Sequence, residues 1–586
     1  MNLSSSLRKE FRDRKMWLCN ATSMAALAGA FIFGTLVIWS GKWVLPSGDG
    51  CVRAIMALQE PNPPSSLFSS SELVAPWPPG HRIFIGNLAS VLPEFGVRYG
   101  KIFWYQTLSL LSFVLGTWGF SRVAHALAGS TAALATILLI FCFGIPLDQA
   151  ASGLTEIFVF GLMGLGFWAL ICGLQSHRLE WVYAAALCNF AITTLRTEAI
   201  VVIFLQWLVL WGRLKWWNVL AWGTISAGYF VTRLAITEFL APPTSFLNFN
   251  RLYTLGDTAS KVDRLLGHLW TATFPDGLIP LALFGGAGLA LFWRIRKNPP
   301  IYPFALRPVV WLRAARSLVA LPIWCALASF AFLFSGVQSG NVEPFARYLL
   351  GPLPFLAISL ALGFRSENFP EIVRAAGRAA IAVALIALAV LMIVQVPRVW
   401  RLRDQMDDAE KRFLGWVEKS RPDGIVSDFL RFKDDRLILY ARESLPGLVF
   451  WGHGNFNPLG LNIAGMLPPS DMPAPEHHAL ETQAIAQKHL VDPRISYLLV
   501  ADPQFYQERI LGKRRPNKKT LSSFFLSDLE PLAPDRSRLR FRPQFATIND
   551  REIVFEKVYG DKLLLLYRKV SSSGVPAAAS PAAGRE

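Results

Sequence analysis

The sequence predicts a polytopic α-helical membrane protein with about 11 transmembrane helices, amphipathic helices in the loops on one side, and a soluble α/β domain at the C-terminus. Three observations predict it. Of 586 residues, 53% are hydrophobic and only 17% are charged, and the mean hydropathy is +0.36. Apolar stretches close to the ~20 residues that a bilayer span requires recur along most of the chain. Beyond about residue 398 the pattern changes, with more charge and only short apolar segments.

Taken in order, the spans are expected near 21–44, 102–124, 130–147, 153–174, 181–195, 197–213, 216–238, 277–294, 317–336, 346–364 and 377–397. The pair meeting at Arg196 reads either as two helices or as one bent helix. The basic N-terminus "MNLSSSLRKEFRDRK" precedes the first span, and no small-x-small cleavage site follows it, so that span is expected to be retained. The tail alternates strand-like segments, "ISYLLVAD" and the pair "REIVFEKV" and "KLLLLYRKV" around "YGD", with the helical pattern "QMDDAEKRFLGWVEKS". The expected domains are a membrane domain at 1–398, with an external loop 45–101 carrying Asp49, an α/β domain at 399–571, and a disordered low-complexity end at 572–586. No internal repeat is visible, which disfavours transporter folds built from repeated halves.

Charge sets the orientation. A cytoplasmic N-terminus puts Arg213, Lys215, Arg294, Arg296, Lys297, Arg307, Arg313, Arg316, Arg365, Arg374 and Arg378 in cytoplasmic loops. An odd number of spans then leaves the tail outside, in the periplasm of a Gram-negative cell, with the chain integral to the inner membrane. The formal net charge of +17 is thereby a topology signal rather than a nucleic-acid footprint. Cys142, Cys172, Cys188 and Cys325 fall within spans, Cys19 near the start of the first, and only Cys51 outside, which argues against a disulfide framework.

With this topology, Asp49, His81, Arg82, Asp148, Glu156, Arg196, Glu198, Glu343 and Arg347 all gather on the external side. Ionisable groups near a bilayer are costly unless paired or used, so their common sidedness points to a hydrated cavity. Asp49, in "PSGDG", stands where flanking glycines let backbone approach a ligand. It reads equally as a turn aspartate or as the N-cap of "CVRAIMALQ". Asp148 is explained by an N-cap. Glu156 lies about a turn into its span, a depth that asks for a partner such as Arg196 or a ligand. Arg196 and Arg347 suit bidentate binding of a lipid phosphate, or else snorkel to headgroups or pair with Glu198 and Glu343. "WPPGHRIFIGNLASVLP", with Ile83, Phe84, Leu88 and Leu92 at helical spacing, and "DTASKVDRLLGHLW" read as interfacial helices roofing the cavity, or as loops packed on the tail.

Together, "SGDG", "WPPGHRIFIG", "LTEIFVFGLM", "TTLRTEAIV" and "ARYLLGPLPFLAI", in this order and on one side, resemble the membrane-embedded GT-C glycosyltransferases. The branch in question holds the protein O-mannosyltransferases and the aminoarabinose transferase of lipid A. The resemblance runs over almost the whole chain. It implies a polyprenyl-phosphate-linked sugar donor, transfer on the external face with inversion, and an envelope lipid, glycan or protein as acceptor. It further implies Asp49 as catalytic base, Arg196 and Arg347 as holders of the leaving phosphate, and Asp148 or Glu156 as the second acidic residue, placing the acceptor or ligating a metal. His81, Arg82 and Glu198 are further cavity candidates. Two departures stand out: Gly50 follows Asp49 where the mannosyltransferases carry glutamate, and the histidine comes after the prolines, at His81, rather than before them. Use of a divalent metal ion is left open, and no cluster has zinc-ligand spacing. His453, His477 and His478 lie in the tail and read as surface or loop residues.

Two other classes compete. A lipid or polysaccharide flippase would use the same cavity, but it needs polar residues through the membrane depth, and the spans are nearly uncharged in their central and cytoplasmic halves. An assembly component would work through its tail. ATP-driven transport is disfavoured, because no Gly-Lys-Ser/Thr phosphate loop is present. "LFGGAGLALF" lies within a span and reads as small-residue helix packing.

Overall fold

The computed structural model describes residues 3–39, 80–92, 100–142, 150, 153–211, 213–239, 258–271, 321–338 and 346–362, together with tail strands between 437 and 570 and a few single positions. The sequence-predicted spans at 277–294 and 377–397 lie outside the described residues, as do Asp49, Asp148 and Glu343.

The described helices are α1 (Leu3–Trp39), a π-helical turn (His81–Gly86) running into α2 (Asn87–Val91), α3 (Gly100–Ala128), α4 (Ser130–Cys142), α5 (Thr155–Ser176) and α6 (Leu179–Leu195). A 3-10 turn (Thr197–Ala199) leads into α7 (Ile200–Leu210), followed by α8 (Trp216–Phe239), α9 (Thr258–Thr271), α10 (Leu321–Gln338), a second 3-10 turn (Ala346–Leu350) and α11 (Leu353–Leu362). Among the described residues, four helical segments are long and apolar enough to cross a membrane, namely Asn20–Trp39, Thr155–Ser176, Trp216–Ile236 and Leu321–Gln338. With the shorter apolar helices around them they make the body of an integral membrane protein.

Helices α3 and α5 run parallel in close contact. Gly116 and Gly119 of α3 face Gly161 and Gly164 of α5, and a Cβ added at any of these four positions would fall against the backbone of the facing helix. Small residues allow this approach, and dispersion contacts replace the hydrophobic drive that lipid cannot supply. Phenylalanines fill in beside the glycines. Phe113 stacks on Phe160 at 5.8 Å, while Phe355 of α11 meets Phe120 at 5.5 Å and Phe167 at 5.1 Å. Tight reversals join neighbours. Gly129 takes a φ of +87° between α3 and α4, and His177 takes a left-handed φ of 57° between α5 and α6. Cys142, Cys172, Cys188 and Cys325 are free thiols.

The stretch around Arg196, left open between one helix and two, is broken. Arg196 is extended (φ −151°, ψ 128°) between α6 and the 3-10 turn that starts α7. Threonines mark the last turn before the break. Thr193 and Thr194 donate their hydroxyls back to Phe190 O at 2.8 Å and Ala191 O at 2.7 Å, side-chain bonds that compete with the helix ladder near its end. At the far end of α7, Trp207, Trp211, Trp216 and Trp217 cluster beside Lys215, whose ammonium lies 5.1 Å from the Trp217 ring centre. Aromatic rings with basic residues are the usual composition of a membrane-water boundary.

The tail strands form a separate unit. They are β1 (Leu437–Leu439), β2 (Tyr497–Ala501), β3 (Leu529–Pro531), β4 (Arg538–Phe541), β5 (Ile553–Gly560) and β6 (Leu564–Val570), in the order β1-β2-β6-β5-β4-β3. β1 and β2 are parallel and the other pairs are antiparallel. β5 and β6 are the hairpin expected around "YGD", with a bulge between Lys557 and Tyr559. Phe555 and Tyr567 are buried beneath it. Trp416, a helical position of the "QMDDAEKRFLGWVEKS" stretch, packs 5.1 Å from the Tyr559 ring.

Candidate functional site

One end of the helical unit collects the charged side chains. α5 begins there with Leu154 in extended conformation and Glu156 in its first turn. A carboxylate at this position meets unsatisfied backbone N–H groups and the positive end of the helix dipole. Glu156 is nevertheless buried, with 7% of its side chain exposed, so it needs specific donors. It has two, with a second cation beside them. Arg196 donates Nη1–H to Oε1 at 2.6 Å, Thr155 donates its hydroxyl to Oε2 at 3.1 Å, and the Arg347 guanidinium lies at ion-pair distance, its Nε 3.3 Å from Oε1.

Arg196 reaches Glu156 because its extended backbone turns it off the α6 cylinder. Its other edge forks onto Glu198 of the 3-10 turn, with Nε to Oε2 at 3.1 Å and Nη2 to Oε1 at 2.5 Å. Three of its five N–H donors thus serve carboxylates. Arg347 and Tyr348 come from the other 3-10 turn, ahead of α11. The Tyr348 ring lies between the two cations, 5.0 Å from Arg196 Cζ and 5.4 Å from Arg347 Cζ. Such cation-π contacts stabilise a guanidinium more as water is excluded. Arg233 of α8, buried at 2% exposure, lies near Tyr229 and in the field of Glu198. Guanidiniums and carboxylates therefore alternate along Arg347, Glu156, Arg196, Glu198 and Arg233. Among the described residues these are three guanidiniums and two carboxylates.

His81 sits at the same end but is occupied. Its ring is 2% exposed, its Nε2 bonds the Tyr105 hydroxyl, and it packs against Phe158. Tyr105 in turn donates its hydroxyl to Gly153 O at 2.6 Å, and Ser109, one turn along α3, bonds Ala150 O at 3.0 Å and receives Gly153 N–H at 3.1 Å. These bonds fix the backbone three residues before Glu156, where Gly153 has a φ of +67° that favours glycine. A Cβ at Gly80 would strike Thr194, so the His81 turn lies directly on the end of α6. Phe84, Leu88 and Val91 point outward from that turn and α2, at 45%, 47% and 76% exposure. In α9, Leu265 is buried while Leu266 and Trp270 are half exposed. α1 also ends here, with Trp39 donating Nε1–H to Thr107 at 3.1 Å and packing on Trp104 at 5.1 Å.

The structure thus brings together Glu156, Arg196, Glu198 and Arg347, and holds His81 on the supporting layer. Arg82 belongs to the same turn, described by its backbone alone, and Asp49, Asp148 and Glu343 lie outside the described residues. Tyr348, Arg233, Tyr105 and Thr155 were not singled out from the sequence. Arg233 carried a usable signal, an arginine within an apolar span. Tyr105 and Tyr348 carried none. Among the described residues, no group of three or more His, Cys, Asp or Glu side chains could hold a metal ion.

A helical membrane body with a buried guanidinium-carboxylate cluster at one end is the class of protein that fold and site define. No family model matches the sequence. Among curated proteins, it is similar to a terminal beta-(1→2)-arabinofuranosyltransferase of Mycobacterium tuberculosis, 25% identical over 365 residues, which cover 58% of this chain and 54% of that protein. The chain thus spans about half the length of that curated relative. Among solved structures, ArnT from Cupriavidus metallidurans bound to undecaprenyl phosphate aligns over 95% of this chain and 99% of that one, at 14% identity and a TM-score of 0.46. The Archaeoglobus fulgidus oligosaccharyltransferase AglB, in complex with an inhibitory peptide and a dolichol-phosphate, aligns over 84% of this chain and 70% of that one, at 14% identity and a TM-score of 0.40.

Proposed function

We propose that this chain is a GT-C-type glycosyltransferase that moves a sugar from a polyprenyl-phosphate-linked donor to an envelope lipid, glycan or protein on the external face of the membrane. The Arg347–Glu156–Arg196 cluster is the observation that carries the reading, because two guanidiniums held together at the helix ends fit a leaving phosphate. The sequence similarity to an arabinofuranosyltransferase supports the same chemistry, and makes a pentose the first sugar to test.

In this reading the acceptor oxygen attacks the anomeric carbon from the side opposite the phosphate. The bond from that carbon to the phosphate oxygen breaks, and inversion follows. Asp49 takes the proton of the acceptor hydroxyl as its oxygen becomes bonded. Arg196 and Arg347 meet the charge that grows on the departing phosphate. Asp148 is the second acidic group, placing the acceptor or ligating a divalent cation if one is used. Support for Asp49 comes from its place in the sequence, ten residues after Trp39, where α1 ends on the same side of the helical unit as the arginines. The N-terminus is cytoplasmic in this scheme, residues 399–571 form a periplasmic domain, and the body lies in the inner membrane of a bacterium.

Transfer is tested with the full chain reconstituted in liposomes carrying polyprenyl-phosphate-linked pentoses, aminopentoses or hexoses and extracted envelope acceptors, with products read by mass. Asp49→Asn is expected to lower turnover by about a hundredfold to ten-thousandfold, the contribution of a positioned base, while the protein stays folded and inserted. Wild-type activity retained in D49N excludes Asp49 as the base. Movement of intact lipid-linked sugar across the bilayer without a new glycosidic bond would instead indicate a flippase.

A further inference from the structure

We propose that Glu156 and Tyr348 are positioning residues that lock Arg196 and Arg347 into one dicationic site for the phosphate of a lipid-linked ligand. The assignment rests on the reading under Proposed function, and gives Glu156 a different task from an acid, a base or a metal ligand.

Two guanidiniums placed side by side repel, and they repel more strongly away from bulk water. Something must offset that repulsion before a ligand arrives. A single oxygen, Glu156 Oε1, lies 2.6 Å from Arg196 Nη1 and 3.3 Å from Arg347 Nε, so one anionic atom bridges both cations. The Tyr348 ring bridges the same two, with Cζ distances of 5.0 and 5.4 Å. Carboxylate and ring are supplied by different elements, the N-terminal turn of α5 and the 3-10 turn before α11. The arrangement therefore ties α5, the α6–α7 break and the approach to α11 at one place.

The contacts also say what Glu156 is suited for. Arg196 donates to its Oε1, the Arg347 charge lies 3.3 Å from the same oxygen and the Thr155 hydroxyl donates to its Oε2, so the ionised carboxylate is the form its neighbours hold. A group so surrounded is a fixed anion rather than a proton carrier. Glu198 takes up the other edge of Arg196. Its side chain is 35% exposed against 7% for Glu156, and it reaches one of the two cations only, so it orients Arg196 without joining the pair. The phosphate is expected to bind against the paired guanidiniums, and a lipid phosphate monoester satisfies both their chemistry and the membrane setting.

The test uses the full chain in nanodiscs, with farnesyl phosphate as probe and farnesol and inorganic phosphate as comparison ligands. Wild-type protein is expected to bind farnesyl phosphate in preference to both. Glu156→Gln keeps the shape and removes the charge, and should weaken binding about tenfold to a hundredfold, the range of a charged hydrogen bond. Tyr348→Phe should bind as wild type and Tyr348→Leu should weaken, because the ring is what counts. E156Q combined with Arg347→Met should bind no worse than R347M alone, since the carboxylate then has no pair to hold. In the transfer assay, E156Q should raise KM for the lipid donor and keep the shape of the pH profile.

Independent, multiplying effects of E156Q and R347M, or wild-type binding by E156Q, would overturn the assignment. Loss of kcat together with one limb of the pH profile would also overturn it, by making Glu156 a proton-transfer group. If wild-type protein ignores farnesyl phosphate, the lipid-phosphate reading fails by itself. The lock is then judged without ligand, by melting temperatures. Non-additive shifts for E156Q and R347M support it, and additive shifts reject it.

Discussion

Two Arg–Glu pairs in this molecule have the same chemistry and different surroundings. Arg538 and Glu556 face each other across β4 and β5, with side chains 60% and 40% exposed. Arg196 and Glu156 meet between helices, 16% and 7% exposed. The strand pair is a cross-strand contact in water, where Coulomb attraction is nearly matched by hydration and by the entropy of two long side chains. The helix pair has given up most of its water, and its persistence requires further partners: the Thr155 hydroxyl, the Arg347 charge and the Tyr348 ring. An ion pair therefore speaks of function only when its desolvation has been offset by a built environment. By that measure the charge cluster of the helical unit is the candidate site, and the tail pair is ordinary sheet surface.

The largest expected effect breaks the buried side of this comparison. Glu156→Ala leaves two guanidiniums facing each other without a bridge, and should destabilise the folded protein in detergent by about 3–5 kcal/mol, measured by thermal unfolding. A loss below ~1 kcal/mol would put the pair in the same class as Arg538–Glu556. An intermediate effect is expected from Tyr105→Phe. Removing that hydroxyl strips an acceptor from His81 and a donor from Gly153 O, at a cost of about 1–3 kcal/mol for buried groups left unsatisfied. A neutral result would show that water substitutes there. The smallest effect belongs to the sheet. Glu556→Ala should cost less than ~1 kcal/mol and fade with added salt, because screening reaches exposed charges within about 10 Å at 0.1 M ionic strength. Salt should leave the E156A effect almost unchanged, which sharpens the contrast by a single titration.

Much of this was legible beforehand, for identifiable reasons. Spans are written in long apolar runs, and the β5–β6 hairpin in two strand-like segments around "YGD". Glu156 was marked by depth alone, since a carboxylate one turn inside an apolar run has to find a cation. Arg196 was marked as its complement, yet the shape of the break beside it was not readable. That shape depends on threonine hydroxyls choosing carbonyls within their own helix over solvent. Arg347 bridging to Glu156 is a contact between residues far apart in the chain, and no periodicity encodes it. Tyr348 and Tyr105 look like any interfacial tyrosine until their neighbours are placed. His81 carries the same lesson in reverse, because a histidine in an external loop invites a cavity role, while its ring is buried on Tyr105 and Phe158.

The glycine-to-glycine contact of α3 with α5 bears on how such a protein moves. Where two backbones touch with no side chains between them, sliding or spreading would open a void along the entire seam, and interiors tolerate that poorly. The seam is a keel. Any relative movement of the helices must therefore be taken up away from this seam.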